Sequence, residues 1–271
     1  MSASFLALVV VYGSEPATTP TLRSLARCSL ERCGLRTIVW DNSPEPALAG
    51  GSAPGLQVDY VSTPENLGLS TIYNRVSTTH LRAHEHLLLL DQDTELAVDY
   101  LTRAALAIEH HPGIDLFLPR VRANGRWASP VSYLCGWGRQ WRKPIIGLVS
   151  SKRICAINSG MIISADYLRP SPRYDERLRF YGTDTQFMLD YSDRRSQLCV
   201  LDATLLHDLS FFSVDSRSQA KKFAAMKAAY DLIYEKRPWF QQAAVRLVML
   251  AVSIRYAIRH RESTFLRGRT I

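Results

Sequence analysis

Two acidic residues one position apart, Asp91 and Asp93, are the strongest candidates for chemistry in this sequence. They follow four leucines at 87–90, and an apolar run this short, cut off by acids, predicts a strand buried on both faces. Ligands bind at the carboxyl ends of strands in an open α/β sheet, where two carboxylates need a cation. Mg²⁺ or Mn²⁺ takes one or two carboxylates and leaves its other positions to water and phosphate oxygens. The pair therefore predicts a metal-assisted diphosphate site, with a helix N-cap as the structural alternative.

The segments around this pair predict the elements that must hold it. Strands are expected over 5–12, 36–40, 56–61, 86–90 and 114–118, and helices over 21–32, after Gly68 and over 97–109, with surface loop at 44–55. Because Asp41 also follows a strand, the pattern is typical of a nucleotide-binding α/β half. The first strand is not followed by Gly-x-Gly-x-x-Gly or a Walker A motif, which argues against dinucleotide cofactors and ATP.

Four segments in order carry a resemblance to a known family. They lie at 9–12 (Val-Val-Val-Tyr), 40–43 (Trp-Asp-Asn-Ser), 65–68 (Glu-Asn-Leu-Gly, with Asn74 beyond) and 87–94 (Leu-Leu-Leu-Leu-Asp-Gln-Asp-Thr). Together they resemble the family-2 glycosyltransferases of GT-A fold, and within these the rhamnosyltransferase-like members. The resemblance implies an α/β fold with a Rossmann-like open mixed sheet flanked by helices, here followed by a C-terminal helical extension.

The resemblance also implies a reaction and its partners. The expected reaction is an inverting, metal-dependent transfer of a sugar from a nucleotide diphosphate to a saccharide or lipid-linked saccharide hydroxyl, as in surface-polysaccharide biosynthesis. The favoured donor is dTDP-rhamnose, with UDP-sugars as the alternative, and the expected cofactor is Mg²⁺ or Mn²⁺. The implied donor-binding residues are Tyr12, Gly13, Asp41, Asn66, Gly68, Asn74, Asp91, Gln92, Asp93 and Gly160.

Individual roles follow from the same resemblance. Asp41 is expected to hydrogen-bond the nucleobase, while the backbone at Tyr12 and Gly13 lines the nucleotide slot. Asp91 and Asp93 are expected to hold the metal ion. His207 is a further metal ligand or diphosphate contact, with a purely structural histidine as an equal alternative.

The second half of the chain should supply the acceptor side and a base. Residues 120–153 are expected to be irregular, and Trp137, in an arginine-rich stretch, is an acceptor-side candidate, with packed aromatic residues as the alternative. Gly160 lies in a segment that resembles the family's strand beneath the donor sugar, where a missing side chain allows close approach.

Asp184 is expected to be the general base and to lie on the acceptor side. Thr183 stands before it, where the family often has a second acid. A helix N-cap is the alternative role, and Asp175 and Glu176 are the alternative acids.

Composition bounds the remaining possibilities. With 271 residues and 46% hydrophobic content, the chain can build a sizeable core, and its five scattered cysteines predict neither disulfides nor a zinc site. No secretory signal is recognisable, so a cytoplasmic location is expected. The net charge of +8 is uneven: 12 lysines and arginines face 3 acids from Arg217 onward, against 21 and 22 before it. The nearly neutral body argues against nucleic acid as a partner.

The predicted domains are a GT-A domain at 1–214 and a basic helical extension at 215–271. Within the first, 1–120 is the nucleotide-sugar half and 121–214 the acceptor and catalytic half. The extension has helical apolar spacing over 218–236 and 240–261, and the second of these helices is expected to lie peripherally on the inner face of a membrane. Packing on the chain's own core, or on a second copy in a homodimer, is the alternative.

Two rival functions remain open at this stage. A sugar-nucleotide nucleotidyltransferase normally has a Gly-rich, basic loop after its first strand, which the sequence at 12–16 lacks. A non-catalytic sugar-binding or membrane scaffold remains an alternative because Thr183 replaces an acid.

Overall fold

The computed structural model describes residues 3–46, 55–143, 145–171, 173–207 and 216–260. Its strands are β1 (Ala3–Val11), β2 (Cys33–Asp41), β3 (Val58–Ser62), β4 (Glu85–Asp91), β5 (Thr94–Glu95), β6 (Leu116–Ala123), β7 (Arg126–Ser129), β8 (Val131–Leu134), β9 (Trp137–Gln140), β10 (Gly147–Ser150), β11 (Ile154–Cys155), β12 (Ile162–Ser164) and β13 (Gln197–His207). Its helices are α1 (Pro20–Leu25), α2 (Leu69–Thr79), α3 (Tyr100–His110), α4 (Ala165–Leu168), α5 (Thr183–Arg194), α6 (Ser216–Tyr234) and α7 (Trp239–His260).

A large mixed sheet forms the centre of the molecule. Among the described strands its order is β10-β13-β6-β12-β4-β1-β2-β3, with β5 paired to β13 and β7 to β6. Strand β1 runs parallel to both β2 and β4, so Val11 lies opposite Asp41 and Val10 opposite Asp91. The carboxyl ends of these three strands therefore meet at one edge, as expected from the sequence.

The four leucines of β4 show why this strand lies in the middle of the sheet. Each is at most 2% exposed. Because side chains alternate along a strand, Leu87 and Leu89 belong to one hydrophobic cluster, while Leu88 and Leu90 belong to another on the opposite face. The strand is buried on both faces, and the predicted α/β fold with a mixed sheet flanked by helices is confirmed.

The helix predicted over 21–32 is wrong in length. Helix α1 ends at Leu25, and β2 already begins at Cys33. Cys33 and Gly34 pair with the first residues of β1, so strand pairing at the edge of the core overrides the helical spacing that continues to Leu30. The loop predicted at 44–55 lies largely outside the described residues.

The prediction that 120–153 is irregular is also wrong. This stretch contains β7, β8, β9 and β10, and β8 joins β9 and β11 in a second, three-stranded sheet. The turn between β6 and β7 is Asn124-Gly125, whose φ angles are 49° and 74°. Asn-Gly is a strong signal for a tight hairpin because both central residues need positive φ. That signal was present in the sequence.

Gly160 is required by packing within the core. The sequence predicts that it leaves room for a donor sugar, but a Cβ here would overlap Leu205 and lie 2.7 Å from Pro119, at a φ of 82°. The space beside it is thus filled by the protein's own side chains. Donor contact at this position stays a prediction.

Replacing Gly160 with alanine is expected to lower the free energy of unfolding by roughly 2–4 kcal/mol, because overpacking adds to left-handed backbone strain. Urea denaturation measures this change. Gly113→Ala is the matched control, since Gly113 has a similar φ of 87° but a Cβ added there would meet nothing within 4 Å. An equal loss in both variants would show that backbone strain alone is responsible.

The two C-terminal helices pack on the rest of the chain. Ala229, Ile233 and Tyr234 of α6 cluster with Val245 and Met249 of α7 and with Leu178. A Cβ on Gly182, which directly precedes α5, would lie 2.8 Å from Ile233 Cδ1. The proposed boundary near 214 stays a prediction, and α6 is in direct contact with the segment that carries Asp184. None of the described helices is long and apolar enough to cross a membrane.

Candidate metal and donor site

The structure brings Asp91, Asp93 and His207 together. One ligand atom from each lies within 4.8 Å of the others, and the Nδ1 of His207 is 3.4 Å from the Oδ1 of Asp93. The Nε2 of His207 lies 3.9 Å from the Oδ2 of Asp91. Two carboxylates and an imidazole in this arrangement fit a divalent ion such as Mn²⁺ or Mg²⁺ by their donor chemistry.

Strand β5 is the element that assembles this group. After β4, residues 92–93 turn the chain into β5, where Thr94 pairs with His207 and Glu95 with Leu206 of β13. His207 is the last residue of β13, an 11-residue strand that begins at Gln197. Asp91 ends β4, Asp93 lies in the turn and the histidine comes from a distant strand. Their meeting depends on a two-residue pairing that sequence periodicity does not reveal.

Three buried hydroxyls support the turn. Thr21 donates from its hydroxyl to the carbonyl of Asp91 and accepts from the backbone N–H of Thr94 at 2.9 Å. The hydroxyl of Thr94 lies 3.1 Å from the Nδ1 of His207 and 2.5 Å from the hydroxyl of Ser159, which also accepts from the backbone N–H of Asp91. Sequence reasoning missed these residues as contributors, and for Thr21 no local signal exists.

Burial makes the ionised form of Asp91 costly. Loss of solvation raises the pKa of Asp91 to about 6, although nearby His207 opposes the shift. The negative charges of Asp93 and Asp184 push the same pKa upward. A cation bound between Asp91 and Asp93 would relieve this cost, which supports the assignment of the group as a metal site.

Thr94→Val is expected to weaken Mn²⁺ binding about 10- to 100-fold, the range typical for loss of a residue that orients a ligand. The substitution keeps the shape of a fully buried side chain but removes its contact with His207. Isothermal titration with Mn²⁺ measures the change. Thr71→Val, at a threonine whose hydroxyl contacts Glu176 instead, is the control and should bind the ion normally.

Asp184 lies close to this group, in the first turn of α5. Its Oδ1 accepts from the backbone N–H of Thr185 at 2.7 Å, and Gly182, not Asp184, is the N-cap residue. Burial raises the pKa of Asp184, and its charge in turn raises the pKa of Asp91. The carboxylate is therefore partly desolvated and close enough to Asp91 to shift its pKa, and its role as general base stays a prediction.

The alternative acids are engaged elsewhere. Asp175 forms an ion pair with Arg177 at 2.6 Å, and the resulting hydrogen bonds lower the pKa of Asp175. Glu176 accepts from Asn74 at 3.1 Å and from Thr71 at 3.2 Å. Asp175 is paired within the loop before α5, and Glu176 joins that loop to α2, so Asp184 remains the better candidate for a base.

The loop after β1 carries Tyr12 and Gly13, and it is held by Gln92 and Ser43. Gln92 accepts from the backbone N–H of Tyr12 at 2.7 Å, and its amide donates to Ser14 at 3.3 Å. The backbone N–H of Gly13, at a φ of 63°, donates to the hydroxyl of Ser43 at 2.8 Å. Tyr12 is 51% exposed, so its ring is available to a ligand at the mouth of the site.

Asp41 is fully buried. One carboxylate oxygen accepts from the backbone N–H of Ser43 at 3.0 Å and the other from the hydroxyl of Tyr60 at 2.6 Å. Asp41 thus shapes the loop between β2 and the following segment. Its contact with a nucleobase stays a prediction that needs the loop to open.

Asn66, Gly68 and Asn74 position the segments around α2. Asn66 accepts from Asn42 and, through its carbonyl, from Arg179 at 2.7 Å. A Cβ on Gly68 would lie 2.9 Å from the Cα of Arg179, so this close approach requires glycine. Asn74 donates to the carbonyl of Tyr174 and to Glu176. In the structure these three residues join α2 to the loop before α5, and donor contact by them remains a prediction.

Trp137 lies at the start of β9 and is 54% exposed. Arg120 and Arg122 instead flank the ring of Trp127, and Trp141 donates to Ser132 at 2.9 Å. Trp127 and Trp141 therefore fit the interpretation as packed aromatic residues, because they have partners within the chain. Trp137 has an exposed face, which fits an acceptor-side contact. Its acceptor-side role stays a prediction.

Comparison with solved structures identifies the fold. The chain is similar to S. aureus TarS at a TM-score of 0.58 and 15% identity, covering 98% of this chain and 49% of that one. For residues 1–349 of TarS in complex with UDP-GlcNAc the TM-score is 0.56 at 16% identity, over 92% of this chain and 80% of that one. For the complex of TarS 1–349 with UDP the TM-score is 0.57 at 16% identity, over 98% of this chain and 80% of that one.

These likenesses show the fold, and at such low identity they show no more. The chain spans about half the length of the longest of these TarS chains. No protein-family model and no curated protein matches the sequence.

Proposed function

We propose that this protein is a metal-dependent glycosyltransferase that uses a nucleotide-sugar donor. The observation that carries the proposal is the convergence of Asp91, Asp93 and His207 beside the partly desolvated base Asp184, at the carboxyl edge of the sheet. TarS, which shares the fold, is a glycosyltransferase and was solved with UDP-GlcNAc and with UDP. Its ligands support a nucleotide-sugar as the donor class here.

The roles of the chain's own residues follow from their positions. Asp91, Asp93 and His207 would hold Mg²⁺ or Mn²⁺, and such an ion supplies positive charge for a departing diphosphate. Gln92 and Ser43 fix the backbone of the loop at Tyr12 and Gly13, which would line the nucleotide slot. Trp137 offers an exposed aromatic face to a sugar ring on the acceptor side.

Asp184 is assigned the proton transfer. As the acceptor oxygen forms its bond to the anomeric carbon, the bond from that carbon to the diphosphate oxygen breaks, and the hydroxyl proton passes to Asp184. Its raised pKa makes it a stronger base than an ordinary aspartate. A single displacement of this kind inverts the configuration at the anomeric carbon.

The finer assignment is rhamnosyl transfer from dTDP-rhamnose. It rests on the resemblance carried by Asp91-Gln92-Asp93 and by the segment at 157–160, Ile-Asn-Ser-Gly. The acceptor proposed is a saccharide or lipid-linked saccharide hydroxyl in surface-polysaccharide assembly. UDP-sugars are the competing donors, since TarS was solved in complex with UDP-GlcNAc.

The proposal is tested by screening nucleotide-sugars for hydrolysis and for thermal stabilisation, with and without Mn²⁺. We expect one dTDP- or UDP-sugar to stabilise the protein, and only when the ion is present. Stabilisation by a nucleoside triphosphate together with a sugar phosphate would favour a nucleotidyltransferase. Sugar binding without any turnover would favour a non-catalytic scaffold.

A further inference from the structure

Helix α7 has an inner apolar face that packs on the domain. Val245, Met249 and Ser253 are 2%, 5% and 3% exposed, and the ring of Tyr256 stacks on Phe223 of α6 with centroids 5.2 Å apart. Gly136, in the turn between β8 and β9, lies against Val245 and Met249. The inner face therefore accounts for the attachment of α7 to the rest of the chain.

A second apolar face of the same helix points to solvent. Six large apolar side chains are between 45% and 79% exposed and form what we call the outer stripe: Trp239, Phe240, Leu247, Leu250, Ile254 and Ile258. At 3.6 residues per turn these positions fall within an arc of about 120°, on the side opposite Val245 and Met249. A patch of this kind on a folded domain marks an interaction surface.

The charge around the outer stripe selects the kind of partner. Helix α7 contains no aspartate or glutamate, and the exposed residues Arg246 and Arg255 flank the stripe on either side. A basic border around an apolar stripe complements a surface that is apolar within and negatively charged at its rim. A second copy of α7 would instead bring arginines against arginines, which disfavours self-association.

We propose that the outer stripe of α7 docks on an anionic lipid bilayer, with the helix lying in the plane of the membrane surface. Leu247, Leu250 and Ile254 would enter the boundary between headgroups and acyl chains, while Arg246 and Arg255 contact lipid phosphates. Trp239 lies at the end of the stripe, a position typical of interfacial tryptophan. The inference does not depend on the proposed catalytic function, since docking needs no substrate.

Co-sedimentation of the full chain with lipid vesicles tests the proposal. We expect the protein to pellet with vesicles that contain phosphatidylglycerol and to remain largely in solution with phosphatidylcholine alone. The double variant Leu247→Glu, Ile254→Glu should bind these vesicles roughly 100-fold more weakly, because each substitution removes a large apolar side chain that would be buried in the bilayer. Arg246→Gln with Arg255→Gln should weaken it roughly 10-fold, and only on the anionic vesicles.

Matched controls separate the surface from a general effect of added charge. Leu30→Glu and Val98→Glu replace apolar residues that are 46% and 59% exposed, outside α7, and should bind vesicles as the parent protein does. Circular dichroism and thermal melting show that every variant is folded. Deleting α7 is a poorer test, because it also removes Val245 and Met249 from their packed cluster.

Three results would overturn the proposal. The first is a protein that stays in the supernatant with both vesicle types, and the second is a Leu247→Glu, Ile254→Glu variant that binds as well as the parent. The third is a dimer in sedimentation velocity that the same double variant dissociates, without vesicle binding by the parent. That result would assign the outer stripe to contact between copies of the chain.

Discussion

Asp93→Ala is expected to lower kcat/KM for sugar transfer about 10³-fold, the largest effect we predict for a single side chain. Asp93 lies within reach of His207 and Asp91, and its loss leaves a carboxylate and an imidazole as the proposed ligands. The residual pair should bind Mn²⁺ weakly. Initial rates at several Mn²⁺ concentrations measure the effect, and excess ion should recover only part of the activity.

The control is Asp59→Asn, at an exposed acid of β3, away from the carboxyl edge of β4. It should retain the activity of the parent. Chelation by EDTA should inactivate both the parent and Asp59→Asn, since both keep Asp91, Asp93 and His207. Full activity of Asp93→Ala, or of the parent in EDTA, would refute the metal assignment while leaving Asp184 to be tested separately.

Asp184→Asn is expected to lower kcat by about 10²–10⁴-fold, the range for loss of a positioned base. The asparagine keeps an oxygen for the backbone N–H of Thr185, so the local structure should persist. Because burial raises the pKa of Asp184, the folded state disfavours its ionised form. The parent therefore loses stability as pH rises through that pKa, and the variant should not.

Two measurements test this prediction together. At neutral pH the variant should be nearly inactive yet at least as stable to urea as the parent, whereas a residue with a merely structural role would lose stability when replaced. The control is Asp193→Asn, on the same helix and paired at the surface with Arg237. It should change the free energy of unfolding by no more than about 1 kcal/mol and leave the activity close to that of the parent. An active Asp184→Asn would exclude the residue as the base.

Much of the sheet could be predicted because its signals are local. The leucines stand directly before Asp91, and an acid ends both β2 and β4, so the positions of these strands and their ligand-binding edge follow from short-range pattern. The meeting of Asp93 with His207 could not be predicted from spacing, because it depends on pairing between β5 and β13. The family resemblance supplied that histidine instead.

Other misses have different physical causes. The Asn124-Gly125 hairpin is predictable from its turn residues, although the surrounding tryptophans and arginines are not typical of a strand pair. The burial of Asp41 was not readable, because it depends on Tyr60 of the neighbouring strand. The apolar spacing over 240–261 predicts an apolar face for α7, but which side of the helix packs inward is decided by α6 and Gly136.

The contact between Thr94 and His207 spans 113 positions of the chain. Since closing so long a loop requires the intervening strands to be in place, the group of Asp91, Asp93 and His207 cannot assemble in a partly synthesised or partly folded chain. If this group holds Mn²⁺ as proposed, the ion should bind the completed domain alone and slow its unfolding without speeding its folding. Ion-dependent protection from proteolysis would then report, in living cells, which molecules have finished folding.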